Sequence, residues 1–289
     1  MSTVFNILSD AVAYGMVLFT ISIGLSIMMG LMRVINLAHG AFAMIGGYLA
    51  SYAVSEYGLH YSVAILVAVV GTVIVSIPFE VLLYRRIYRT ADSLLQVLIT
   101  IGICFLIIGI TNLEFGPTSK SIPLPPALTG PLDIGFRSMP THRLFVIACG
   151  AATAAALWWL IEKTNFGIKL RASVDHSGMA DALGIRTSVI YAATFALAIG
   201  LAAFGGVVGA EILPIEPFYG VRYMVIFLVV VSVGGAGSIA GALSASMLLG
   251  LADTAGKYLA PEFGEFFFYL AVVAIVVVFP DGLFSKVRV

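Results

Sequence analysis

Charge is the scarcest property of this sequence. Of its 289 residues only 10% are Asp, Glu, Lys or Arg, while 61% are hydrophobic and the mean hydropathy is +1.08. Soluble domains carry about 25% charged and about 45–50% apolar residues, because a globule in water must coat itself with polar groups. The shortage excludes a cytoplasmic enzyme, a secreted disulfide scaffold and a nucleic-acid binder, and places the chain in a lipid bilayer. The fifteen basic and fifteen acidic residues cancel, so no global field recruits an anionic partner. Cysteine is scarce too. Cys104 and Cys149 each sit in an apolar run, where cysteine acts as a small hydrophobe.

Catalytic motifs are also missing. The sequence has no Walker-type phosphate loop, no paired His/Glu zinc motif, no Cys cluster and no Gly-x-Ser-x-Gly elbow. Its four histidines, His39, His60, His142 and His176, are scattered. No segment carries arginine at every third position, as a voltage sensor requires. Transport is the function class that remains. The first residues lack a basic stretch and are interrupted by Asp10, so they read as the start of a span rather than a cleaved leader.

What the sequence does have is long apolar runs. A helix needs about 20 mostly apolar residues to cross the hydrocarbon core, and runs of that quality lie near 11–32, 62–83, 94–113, 143–161, 189–210 and 267–280. Two further runs are broken. The stretch 34–54 holds Asn36, His39, Gly40, Gly46 and Gly47, and 222–255 is split by Gly234-Gly235-Ala236-Gly237-Ser238. The latter is too long for one crossing and reads as two short segments joined by a tight turn. The expectation is an all-α polytopic membrane protein with about eight transmembrane helices, forming a single permease domain over 1–289.

Lys and Arg in short loops set the orientation. Arg85, Arg86 and Arg89, then Lys163, Lys169, Arg171 and Arg186 in the loop 162–188, then Lys286 and Arg288, all fall on one face, which is read as cytoplasmic. The opposite loops hold Lys120, Arg137, Arg143, Arg222 and Lys257 among Glu114, Asp133, Glu211, Glu216, Glu262 and Glu265. The segment 114–142, rich in proline, is an external loop. The side on which the chain starts depends on whether 34–54 spans.

Three features suggest function. Polar Asn36 and His39 within a lipid-soluble region are costly unless they face a partner or a water-filled cavity, and the nearby glycines permit bending or close helix approach. This reads as a broken helix beside the solute path, or equally as a polar turn at the membrane surface with Asn36 capping the next helix. Gly234 to Gly241 is a second glycine-interrupted segment, as transporters place near their central site, with close small-residue packing as the alternative. In the cytoplasmic loop, Ser177 to Leu183 fits a short helix with Ser177 as N-cap and Gly184 closing it. Met179, Ala180 and Leu183 would share one face, suited to a groove on another protein or to ordinary loop packing. Glu80, near Arg85, and Asp253, spaced i, i+4 from Lys257, read as structural ion pairs rather than a proton relay.

The run Gly30-Leu-Met-Arg33-Val-Ile-Asn36-Leu-Ala-His39-Gly40, followed by Gly46-Gly47-Tyr48, resembles the signature of LivH-type permeases, membrane subunits of ATP-binding cassette importers for branched-chain amino acids. Thr100-Ile101-Gly102, Phe115-Gly116-Pro117, Arg171-Ala172 to Gly184-Ile185, Gly234 to Gly241 and Pro280-Asp281-Gly282-Leu283-Phe284 are similar as well. The sequence departs from the family at Ala240, at Tyr223-Met224 and in the added acid of Glu211 and Glu216, changes that bear on the substrate more than on the fold.

The resemblance implies a bacterial inner-membrane subunit working with a LivM-like permease, two cytoplasmic ATPases and a periplasmic binding protein. The chain itself would touch membrane lipid but no nucleic acid, and would bind no cofactor, ATP and Mg²⁺ being held by the ATPases. It makes Asn36, His39, Gly40, Gly46, Gly47, Thr100, Gly234, Gly235 and Gly237 candidates for the substrate path. Arg171, Met179, Ala180, Leu183 and Gly184 become candidates for ATPase coupling. Related permeases import urea, short amides or aromatic compounds, which are alternative substrates. An ion-coupled secondary transporter and a pure scaffold subunit are the rivals from other classes.

Overall fold

In a bilayer each backbone N–H and C=O must be paired within its own segment, so the apolar runs become helices. The computed structural model describes residues 2–87, 92–133, 138–279 and 282–284. Arg89, Arg137, Pro280, Asp281, Lys286 and Arg288, invoked above, lie outside the described residues. Among the described residues the α-helices of six residues or more are α1 (Ser2–Ile27), α2 (His39–Ser55), α3 (Tyr61–Phe79), α4 (Ser93–Phe115), α5 (Thr141–Lys163), α6 (Asn165–Asp175), α7 (Ser177–Ala182), α8 (Thr187–Val208), α9 (Tyr219–Gly234), α10 (Ile239–Leu259) and α11 (Gly264–Val278). Two of them end in a widened π turn: α1 at Met28–Met32 and α3 at Glu80–Tyr84. In α3 the π turn follows Pro78, which has no N–H to continue the regular ladder.

Among the described residues, six helices are long and apolar enough to cross a membrane: α1, α3, α4, α5, α8 and α10. The run expected at 267–280 is shorter, because α11 ends at Val278 and only Phe266–Val278 is continuously apolar. The split in 222–255 falls where it was expected, between α9 and α10. The all-α expectation needs one small correction, since the external loop contains Pro131–Asp133 paired antiparallel with Ser138–Pro140. The loop's helical turn, Pro126–Thr129, starts at a proline, the position a helix tolerates, and Gly130 and Pro131 stop it before the paired strands.

Helix α1 is the axis of the bundle, with 78% of its most apolar window buried. It packs on α10, α8 and α5. Small residues bring these backbones close: a Cβ added to Gly250 would lie 3.0 Å from the Ala11 carbonyl, and one added to Gly205 only 2.5 Å from Ile21.

Contacts at the helix ends assign the two faces. Asp10 of α1 pairs with Arg143 at the start of α5 and accepts a hydrogen bond from Tyr258 at the end of α10. The start of α1 therefore shares the face of the Pro-rich loop. Its far end meets the turn 235–238, and there Leu283 N–H also donates to the Val233 carbonyl at 2.7 Å. The segment 33–55 runs from this second face back to the first. Ile35 is tied to Gln96 and Thr100 in the first turns of α4, while Tyr48 and Ser51 donate to the Thr118 and Ser121 carbonyls of the external loop. So 34–54 does connect the faces, which puts the start of α1 opposite the basic loops.

Candidate functional site

The first candidate is the break between α1 and α2. The π turn ends at Arg33, which adopts φ 55°, left-handed backbone that non-glycine residues rarely take. The chain then runs irregularly to His39, so α2 begins at the depth of Ile21, three turns of helix inside the Met32 end of α1. Irregular backbone at that depth must be paired by protein, and Asn36 does much of this pairing. Its Oδ1 accepts from Tyr84 Oη at 2.6 Å and from Ala38 N–H at 3.0 Å, and its Nδ2 points at Met28 Sδ, 3.6 Å away. His39 Nε2 donates to the Ile21 carbonyl at 2.9 Å, while its buried Nδ1 has no partner among the described residues. Gln96 Oε1 accepts from Ile35 N–H at 3.1 Å, and Thr100 Oγ1 donates to the Gln96 carbonyl at 2.9 Å. Asn36, His39 and Thr100 are all fully or almost fully buried.

The glycines of this region are close-packed. A Cβ on Gly40 would lie 3.1 Å from the Gly220 carbonyl, one on Gly46 2.6 Å from Ala203 Cα, and one on Gly47 2.2 Å from Ile215. Contact between Gly40 and Gly220 brings the first turns of α2 and α9 together inside the bundle. The second glycine segment makes the tight turn between α9 and α10, with Gly235 at φ 88° and Gly237 at φ 84°. Ser238 caps α10 by accepting from Gly241 N–H at 3.0 Å. Gly234 packs against Gly241, and Gly237 against Gly30 of α1. The structure thus gathers Asn36, His39 and Thr100 into one polar joint and Gly234, Gly235 and Gly237 into one turn.

The coupling candidates lie on the basic face. Helix α7 closes with both bonds of a Schellman motif: Gly184 N–H to the Asp181 carbonyl and Ile185 N–H to the Ala180 carbonyl, each at 3.0 Å. Gly184 takes φ 83°, as expected of the closing residue. Two details differ from the sequence reading. His176, the single residue between α6 and α7, occupies the N-cap position, and Ser177 is already helical. The expected shared face also divides, because neighbouring helical residues point about 100° apart. Met179 and Leu183, one turn apart, are 66% and 77% exposed, whereas Ala180 turns inward and is buried. Asp181 ties α7 to α8 by accepting from Thr187 Oγ1 at 2.9 Å, and Arg171 pairs with Glu162 at 3.5 Å.

The opposite face holds a cavity of about 530 Å³ between α1, α5, the loop 209–218, α9, α10 and α11. Six charged residues line it: Asp10, Glu211, Asp253, Arg143, Arg222 and Lys257, with Tyr14, Tyr223, Tyr258, Phe268 and Tyr269. Lys257 Nζ meets Asp253 at 2.6 Å, the i, i+4 pair read from the sequence. Glu80, on the basic side, likewise holds Arg85 at 3.2 Å. None of the path candidates lines this cavity. Its charges were visible in the sequence only as separate residues near the ends of apolar runs, and their convergence is a product of helix packing. Among the described residues no group of three or more His, Cys, Asp or Glu could hold a metal ion.

The sequence model of the family described as "Branched-chain amino acid transport system / permease component" matches residues 7–276. The chain belongs to this permease family. Similar curated relatives bear this out along its length. LivH of Salmonella typhimurium, a high-affinity branched-chain amino acid transport system permease protein, is 25% identical over 97% of this chain and 95% of its own. BraD of Pseudomonas aeruginosa, which carries the same description, is 28% identical over 85% of this chain and 82% of its own. A probable LivH of Methanocaldococcus jannaschii is 26% identical over 94% and 87%. No solved structure matches the permease. Its family and its six long apolar helices make it a multi-pass protein of the inner membrane.

Proposed function

We propose that this permease is the membrane subunit of an ATP-binding cassette importer that moves branched-chain or related amino acids. A LivM-like permease would complete the channel, a periplasmic binding protein would deliver the solute, and two cytoplasmic ATPases would hold ATP and Mg²⁺, the chain itself having no ATPase site. The six long helices, with the shorter α2, α9 and α11, would make nine crossings of one permease domain where about eight were expected, α2 and α9 starting at depth. Asn36, His39, Thr100 and the glycine turns are proposed to flank the solute path as the joint about which helices rearrange.

One observation carries this reading. On the basic face, a short helix with a closed C-terminus and a fixed tie to α8 presents two apolar side chains, Met179 and Leu183, to the surroundings. Exposed apolar pairs at helical spacing suit a groove on another protein. The tie from Asp181 to Thr187 would pass any push on α7 directly to a membrane helix. Replacing Met179 and Leu183 together by Asp is expected to release co-purifying ATPase subunits and to reduce ATP-driven uptake by about 100-fold or more, as loss of a central apolar anchor does. The protein's thermal stability should change little, since both side chains are exposed. Full ATPase retention by the double variant would overturn the coupling assignment.

A further inference from the structure

The coupling mechanism makes no use of the charged cavity on the face of the Pro-rich loop. Its six charges are three carboxylates, Asp10, Glu211 and Asp253, and three cations, Arg143, Arg222 and Lys257, so they sum to zero. Most are already engaged. Lys257 is bound to Asp253, Asp10 holds Arg143 and the Tyr258 hydroxyl, and Arg222 reaches Glu216 at 2.8 Å. The acidic members sit deep: the Asp253 and Asp10 side chains are 8% and 15% exposed. Mutual pairing holds such groups at fixed spacing near the membrane, where an isolated charge would be expensive.

A cavity of this kind discriminates by charge pattern. A cation or an anion entering it meets as much repulsion as attraction and leaves one net charge at depth. A ligand carrying both signs a few ångströms apart can add its cationic end to the carboxylates and its anionic end to the cations, joining the two ion pairs into one neutral six-charge cluster. The rest of the lining is aromatic and aliphatic, including Tyr14, Ile226 and Phe268, and offers an apolar surface to an uncharged side chain. The volume of about 530 Å³ falls in the range of about 300–1,000 Å³ usual for small-molecule sites.

The geometry points to a reception site for a zwitterion, an α-amino acid whose ammonium joins Asp10 and Asp253 and whose carboxylate joins Lys257 and Arg143. This rests on the transport reading above and gives it a binding site on the side from which solute arrives. The added acid at Glu211, which departs from the family pattern, lies on the rim of the same cavity.

The test uses the full chain in lipid nanodiscs with radiolabelled leucine as probe. Two competitors each lack one charge: leucinamide keeps only the ammonium, and 4-methylpentanoate keeps only the carboxylate. Leucine should bind, and each single-charge analogue should compete about tenfold or more weakly, as expected when one member of a desolvated charge pair is lost. Lys257→Gln should weaken leucine by a similar factor, and Lys257→Arg should recover most of it. Lys257→Gln strips the buried Asp253 of its cation and can cost stability on that account, so Lys257→Arg, which keeps the charge, and the analogue comparison, which needs no variant at all, separate binding from folding. Absence of leucine binding up to millimolar concentration, equal competition by leucinamide, or unchanged binding by Lys257→Gln would each overturn the site. ATP-driven uptake by the assembled importer separates this from the parent reading. If Lys257→Gln transports leucine with an unaltered KM, the site fails and the transport function stands. If the wild-type assembly transports no amino acid while the chain still binds leucine, the site stands and the transport reading falls.

Discussion

Replacing Gly30 by valine is expected to destabilise the folded protein by roughly 3 kcal/mol or more, at or above the usual cost of overpacking. A Cβ at this position would lie 2.1 Å from Gly237 N and 2.2 Å from Gly237 Cα. Both obstacles are backbone, so no side chain can rotate away to make room. The turn itself is pinned, because Ser26 Oγ accepts from Gly237 N–H at 3.0 Å and Gly237 needs its φ of 84°. Relief would require separating α1 from the α9–α10 turn, and that junction anchors the basic end of the bundle. Gly102→Ala is the matched control. It lies on α4 with nothing within 4 Å of an added Cβ, so the change should be neutral or stabilising by up to about 1 kcal/mol. Detergent unfolding curves measure both. If the two variants unfold together, the end of α1 does not touch the turn.

Asn36→Leu carries the second large effect. Leucine fills nearly the same space but accepts nothing, so the Ala38 N–H and Tyr84 hydroxyl both lose the acceptor they share. Stranding buried polar groups costs about 1–3 kcal/mol each, and a total loss of roughly 2–4 kcal/mol is expected for the pair. Tyr84→Phe removes one of the two bonds together with its donor and should cost only about 1 kcal/mol. Thermal unfolding in detergent, followed by uptake measured below the lowered midpoint, separates two roles for this residue. Normal stability with lost uptake would make Asn36 a solute-path residue with no part in holding the break; lost stability with uptake retained in the folded fraction would make it purely structural.

These two residues show what the sequence could convey. Asn36 stood out because an amide in an apolar run needs a partner, and the glycines near it because they permit close approach. Both inferences concern one residue in one kind of surroundings. The partners themselves, Tyr84 from α3 and Gly237 from the α9–α10 turn, are selected by packing between segments far apart in the chain, which no local pattern encodes. The same limit applies at α7. Its existence and its closing glycine were legible, yet the inward turn of Ala180 follows from how α7 leans on its neighbours. Helix α6 was missed because Asn165–Asp175 places its apolar residues, Phe166, Ile168, Leu170 and Val174, at every second or fourth position among polar ones, which makes no apolar run and no clear helical stripe to announce it. The external cavity was beyond reach for a related reason, since its six charges come from five separate stretches of chain and converge only after the bundle closes.

The position of α1 at the axis has a consequence for biosynthesis. Its Asp10 is joined to Tyr258, 248 positions later in the chain. At about 5–20 residues per second, the ribosome needs roughly 12–50 s to deliver that partner. Throughout that interval the most deeply buried helix of the finished protein must wait in lipid, its glycine faces uncovered, while α2 to α9 are inserted. Helix α1, made well before α10, is therefore enclosed late, and any lesion that delays or removes α10 leaves α1 available to quality-control proteases or to mispairing with a neighbouring chain.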